Sequence, residues 1–289
     1  MNITNYDEIR KVGVYNYASY QSDKASDIID KFKNGLADAI FVAPYRGFKD
    51  ISLDCLLDLK GLKAINIQQS DLALDVLYDM PQLEYLTVDE TKQTLDFERL
   101  KNLTTLSIDW HKKLFKNADL SNLKVLALSK YKSTTNDLTD FPYFNHLQRL
   151  VLTQGTISSL NGISRLSELN DMALHYLAKL EHLGELDLPE LKKFRAENCK
   201  RLAGYEQLGA CLNLEDLDLH RCGTIKSVEF IRNLKKLKSF RFNDTEVADG
   251  DLGPLLGLED VYFTEKKHYS HKLKDFNQAL IGVDVNKPA

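Results

Sequence analysis

Leu123-Lys124-Val125-Leu126-Ala127-Leu128 is followed 24 residues on by Leu147-Gln148-Arg149-Leu150-Val151-Leu152, and then by Leu169-Asn170-Asp171-Met172-Ala173-Leu174. Outward from this stretch, the same Leu-x-x-Leu-x-Leu pattern or an apolar variant begins at 62, 83, 103, 191, 214, 237 and 258, so successive copies lie 20 to 24 residues apart. That is the period of one supersecondary unit stacked on copies of itself. A degenerate further copy reads Ala37-Asp38-Ala39-Ile40-Phe41-Val42. Side chains alternate along a strand, so the pattern sends its Leu positions inward and the intervening positions outward. No single unit can bury its own apolar side, which makes stacking obligatory.

The ten agreeing copies resemble the leucine-rich repeat family over about residues 37–264, and their short units look most like intracellular or bacterial members. The resemblance implies an α/β solenoid: a right-handed superhelix with a parallel concave β-sheet and short helical or 3-10 turns on the convex side. It also implies that the concave face grips another protein. One departure concerns the position after each strand, where the family usually places Asn. Here it holds Ser70, Thr91, His111, Tyr131, Gly155, Leu177, Cys199, Cys222, Thr245 and Lys266. Ser, Thr and Cys can donate to turn carbonyls, so a hydrogen-bonded ladder is expected at both ends and looser turns in the middle.

The expected organisation is one domain with caps. Residues 1–36 form an N-terminal cap, with Ile9, Val12 and Val14 in an edge strand or hairpin. A helix follows from about Asp23 to Asn34, with Ser22 as N-cap and Gly35 as its stop. Ile28, Ile29 and Phe32 would cover the first repeat. Residues 37–264 carry the repeats, and 265–289 form a C-terminal cap and frayed tail in which Phe276, Leu280 and Ile281 fold back on the last strand.

The chain has 289 residues and a formal net charge of -4, with no basic block to hold phosphates, which speaks against nucleic acid and anionic membrane as partners. Neither a signal-peptide pattern nor an apolar run of about 18 residues occurs, so a cytoplasmic monomer is expected. Cys199 and Cys222 share the ladder position. Cys211 takes the apolar slot that Met80, Leu100, Leu120 and Leu234 fill elsewhere, so structural thiols are expected.

The outward positions form columns about 4.8 Å per step. From Leu191 onward they alternate in sign strand by strand, which predicts pairing between neighbours. In the middle, Val125, Ala127, Val151 and Ala173 face outward, edged by Tyr85, Trp110, Tyr131 and Tyr176. Such a patch marks a protein contact, unless the inserted residues 129–146 fold over it as a lid. His175, Glu197 and His220 share one column; outer strands about 9.6 Å apart are too distant for shared metal ligation, leaving a hydrogen-bonded ladder or partner contact. His268 and His271 sit among lysines, as expected of a solvated cap.

No phosphate loop, nucleophile elbow or His-Glu-x-x-His pattern is present, so neither a cofactor, a metal nor a catalytic residue is expected. The expected function is non-enzymatic recognition of a protein partner on the concave face, in an immunity or regulatory role. The partner-binding residues are Tyr85, Trp110, Val125, Tyr131, Val151, His175, Tyr176, Arg195, Asp218, His220, Arg241 and Tyr262. The alternative is an enzyme or small-ligand binder using His175, Glu197, Arg195, Asp218 and His220, which requires a deep pocket at those residues.

Overall fold

The computed structural model describes residues 6, 8–69, 71–115 and 121–276. The chain forms two compact units, residues 1–129 and 130–289, and each is built from the repeat in the same way.

The first unit opens with a hairpin, β1 (Arg10–Val12) antiparallel to β2 (Tyr15–Ser19). Helix α1 (Ala25–Lys33) follows. Then come the parallel strands β3 (Ala39–Val42), β4 (Ala64–Ile67), β5 (Tyr85–Val88), β6 (Thr105–Asp109) and β7 (Val125–Ser129). Their register is that of the repeat: Ile40 faces Ile65, Ile65 faces Leu86, Leu86 faces Leu106, and Leu106 faces Leu126. Those residues are fully buried, because a parallel stack keeps like positions in one layer. The degenerate copy at 37–42 is therefore a genuine first repeat.

The helix starts later than expected. Ser22 begins a 3-10 turn, Ser22–Lys24, and does not cap α1. Its hydroxyl instead donates to Asp50 Oδ2 at 2.5 Å and accepts from Lys49 N–H at 2.8 Å, tying the cap to the loop after β3. Ile28 and Phe32 are buried, as a cover for the first repeat requires.

The second unit holds β8 (Arg149–Thr153), β9 (Asp171–His175), β10 (Lys193–Glu197), β11 (Asp216–His220), β12 (Ser239–Phe242) and β13 (Asp260–Phe263). Its returns are 3-10 turns such as Ile163–Arg165, Tyr205–Ala210 and Glu229–Asn233. A dozen or so residues leave no room for more. A residue just after each of β8 to β12 is left-handed: Gln154, Tyr176, Asn198, Arg221 and Asp244 have φ between 48 and 56. This conformation costs a non-glycine residue about 1 kcal/mol. The backbone N–H it frees reaches the next strand's carbonyl, from Gln154 to His175 at 2.9 Å and from Tyr176 to Glu197 at 2.8 Å.

The ladder forms at the C-terminal end. The Cys199 and Cys222 thiols and the Thr245 hydroxyl donate to the carbonyls of Leu174, Ala196 and Leu219 in the preceding strands, at 3.7, 3.3 and 3.0 Å. All four cysteines are free, and burial pushes the Cys211 thiol up to about 11. Gly155 and Leu177 supply no such donor; Ser70 lies outside the described residues.

Within the inserted residues 129–146, proposed above as a lid, the segment from Asn136 to Phe141 lies against return segments and not over the sheet face. Asn136 and Leu138 pair with the return segment of the next repeat, through Ser158 N–H to Asn136 carbonyl and Leu138 N–H to Asn161 carbonyl. The approach is close enough that a Cβ on Gly162 would lie 2.6 Å from the Leu138 carbonyl atoms. At the C-terminal end, Tyr269 is buried with its ring against Phe242 and Phe263, and its hydroxyl accepts from Val247 N–H at 3.1 Å. Phe276 reaches Phe263 with ring centroids 5.8 Å apart; Leu280 and Ile281 lie outside the described residues.

Candidate protein-docking face

The outward face of the second unit is built from the x positions of six strands. Register places Arg149, Asp171, Lys193, Asp216, Ser239 and Asp260 in one column, and Val151, Ala173, Arg195, Asp218, Arg241 and Tyr262 in the next. The end column brings His175, Glu197 and His220 side by side. Glu197 is its centre: His175 Nδ1 lies 3.3 Å from Oε2. Tyr176 Oη and Asn198 Nδ2 donate to Oε1 at 3.3 and 3.2 Å. Among the described residues no group of three or more His, Cys, Asp or Glu side chains is placed to hold a metal ion.

Charges pair between neighbouring repeats as the alternation predicts at Lys238–Glu215 and Arg241–Asp260, but not between β10 and β11. Arg195 turns back to β9, where its Nη2 reaches both oxygens of Asp171 at 3.1 Å, and Arg149 Nε lies 3.5 Å from the same carboxylate. Arg241 turns forward, its Nε donating to Asp260 at 2.8 Å, and Ser239 Oγ donates to that carboxylate at 3.0 Å. Each guanidinium is committed to one carboxylate, Arg195 to Asp171 and Arg241 to Asp260, and column order does not say which.

Two expected contact residues are not where the sequence puts them. Tyr131 is 1% exposed, packed edge-on against Phe141 and donating to Asp140 Oδ1 at 3.0 Å, so it belongs to the core. Ala173 is only 2% exposed, because its methyl sits below the longer side chains of its column. Of the others on this unit, Tyr176 is 50% and Tyr262 40% exposed, and Val151, His175, Arg195, Asp218 and His220 are half-buried on the face.

The first unit presents a different face. Tyr17, Ala39 and Ala64 are buried there under Tyr15, Phe41 and Tyr85. Tyr17 stacks on Phe41 at 4.4 Å, and Tyr15 meets Tyr85 edge-on at 5.9 Å. Burial and a hydrogen bond to Glu84 push the Tyr15 phenol up to about 12. The Arg46 guanidinium lies 4.3 Å over the Phe41 ring and donates to Ser19 Oγ at 3.2 Å. Tyr85 is thus a partner of the chain's own hairpin. Trp110 is half-buried with Phe115 6.0 Å away, and Val125 is half-buried on β7. The sequence reading missed Tyr15, Tyr17, Phe41 and Arg46. The alternation Tyr15-x-Tyr17 beside Ala39 and Ala64 was the available signal, since large rings opposite alanines fill a sheet face.

Two cavities lie away from these residues. One of about 510 Å³ is lined by Phe97, Arg99, Leu100, Leu103, Asn122 and Leu123 among others in the first unit. Another of about 260 Å³ lies on return segments of the second, at Asn161, His182, Gly184, Gly204, Glu206 and Gln207. Neither includes His175, Arg195, Glu197, Asp218 or His220.

One strand per repeat, apolar layers in register and 3-10 returns make this chain a leucine-rich repeat protein in fold. No family model matches the sequence, and no curated relative does. Among solved structures it is similar to an internalin (inlF) of Listeria monocytogenes, at 17% identity and a TM-score of 0.41 over 84% of this chain and 67% of that one. The functional domain of InlJ from the same organism, which includes a cysteine ladder, is 18% identical with a TM-score of 0.39, over 78% and 62%. The leucine-rich repeat protein LIC12759 of Leptospira interrogans gives 14% and 0.42, over 86% and 72%. The chain thus spans about two thirds of the length of these proteins. Among the described residues, no helix is long and apolar enough to cross a membrane.

Proposed function

We propose that the protein is a non-enzymatic recognition module whose second unit binds a partner protein on its outward sheet face, as a soluble immunity or regulatory protein acting as a monomer in the cytoplasm. The observation that carries this reading is Tyr176. It is half-exposed on a left-handed backbone just past the end of β9, with its hydroxyl donating to Glu197. A large aromatic kept at a costly conformation at the rim of a charged face is a natural binding anchor. The enzyme alternative needs an enclosed pocket around His175, Arg195 and Asp218, and neither of the cavities described above lies there.

Affinity capture with the wild-type chain and a Tyr176→Ala, Val151→Asp double variant tests the reading. A protein retained by the first and lost by the second, with unchanged thermal unfolding of the chain, is the expected result. The same proteins retained by both would refute it.

A further inference from the structure

Two of the four free cysteines stand against each other. Glu197 and His220 are paired at the ends of β10 and β11, and the register holds for two residues more, since the Gly223 N–H donates to the Cys199 carbonyl at 3.2 Å. Cys199 and Cys222 are therefore one strand spacing apart, about 4.8 Å. That lies within the roughly 4.4–6.8 Å between Cα atoms over which a disulfide closes. Their side chains point the same way, each thiol towards a carbonyl of the preceding strand, Leu174 for Cys199 and Ala196 for Cys222. The thiols are also in hydrogen-bonding reach of each other. The Cys222 S–H holds the Cys199 thiol below its ordinary value, and the same contact pushes the Cys222 thiol up. Their access differs, for Cys199 is buried and Cys222 half-buried. Cys55 meets the Tyr20 hydroxyl instead, and Cys211 has no thiol beside it among the described residues.

We propose that Cys199 and Cys222 form a modification site, at which hydrogen peroxide joins two neighbouring repeats through a disulfide. Loss of one proton from the pair leaves the other shared between the sulfurs, so the sulfur nearer solvent can carry the charge. That sulfur, of Cys222, attacks a peroxide oxygen. The O–O bond breaks, Cys222 becomes a sulfenic acid, and the departing hydroxide takes up a proton to leave as water. Cys199 then attacks the Cys222 sulfur from within. The S–O bond breaks as the S–S bond forms, and the second hydroxide leaves as water with the Cys199 proton. Two thiols and one peroxide thus give one disulfide and two waters. The buried cysteine needs to reach only its neighbour, never the oxidant. The carbonyl oxygens of Leu174, Glu197, Ala196 and His220 lie 3.3 to 3.7 Å from the two sulfurs. A lasting thiolate would face those acceptors unpaired, and the neutral disulfide removes that charge.

The full chain is treated with a small excess of hydrogen peroxide under native conditions, its remaining thiols are alkylated after unfolding, and its peptides are mapped by mass spectrometry. The expected product has lost two hydrogens, joins Cys199 to Cys222, leaves Cys211 free, and returns to its starting mass with dithiothreitol. Ser keeps a donor at the ladder position, as Thr245 does there, so Cys199→Ser and Cys222→Ser should unfold close to the reduced wild type. In the Cys199→Ser chain the reaction should stop at a Cys222 sulfenic acid that dimedone traps. In the Cys222→Ser chain Cys199 should stay reduced. Recovery of Cys199 and Cys222 as thiols while Cys55 is oxidised would overturn the proposal, as would a bond that forms only in denaturant or only between two chains. The wild-type map decides the matter even where a Ser variant fails to fold.

Discussion

The outward faces of the two units share a backbone pattern and differ in who covers them. In the first unit, the hairpin lays Tyr15 and Tyr17 across Ala39 and Ala64, and Phe41 and Tyr85 complete a neutral aromatic layer. In the second, Arg149, Asp171, Arg195, Arg241 and Asp260 settle their own charges in two clusters, and Tyr176 and Tyr262 stay exposed. An outward position on a repeat sheet is thus not a surface position by right. It becomes core where a cap supplies rings and stays available where neighbours are charged.

Glycines give the sharpest contrast. Gly61 in the first unit and Gly162 in the second both have positive φ, 81 and 92, but only at Gly162 would a Cβ strike backbone. Gly61→Ala should cost about 1 kcal/mol of unfolding free energy and Gly162→Ala more than about 3 kcal/mol, because the Leu138 chain must move. Similar losses in chemical denaturation would show that residues 136–140 do not hold the second unit together.

The aromatic layer is tested by Tyr17→Ala, expected to destabilise by about 3 kcal/mol as a core truncation. Tyr262→Ala, its outward counterpart on β13, should cost less than about 1 kcal/mol. If the two are equal, the distinction between covered and open faces fails.

Tyr131→Phe removes the hydroxyl that reaches Asp140, at a cost of about 1.5 kcal/mol. Although burial opposes its charge, hydrogen bonds from Thr134, Ser133 and Tyr131 hold the Asp140 carboxyl down to about 2. A carboxyl lowered in the fold contributes stability that is full above its ordinary value of 3.8 and is lost as pH falls towards 2. Asp140→Asn should flatten that acid limb in a series of thermal melts, and an unchanged limb would place the acid sensitivity elsewhere.

The smallest effect is expected at Gln154, an exposed left-handed residue. Gln154→Asn should raise stability by roughly 0.5 kcal/mol, since Asn tolerates this conformation better. A loss would mean that the Gln154 side chain itself makes a contact worth more than the strain it removes.

What could be read from the sequence was everything that repeats. Leu126, Leu150, Met172, Phe194, Leu217 and Phe240 announce a buried layer because inward burial follows a local period of two along each strand and one repeat between strands. The 3-10 returns, the Cys199 to Thr245 ladder and the columns of outward residues follow from the same rule. What occurs once escaped it. That Tyr131 turns inward onto Phe141, that Tyr15 and Tyr17 roof the first sheet, and that Arg195 chooses Asp171 over Asp218 each depend on a side chain's choice among neighbours distant in sequence. Periodicity fixes where a Cβ points; only the packed structure decides what the rest of the side chain meets, because that choice is settled by competing contacts of similar energy.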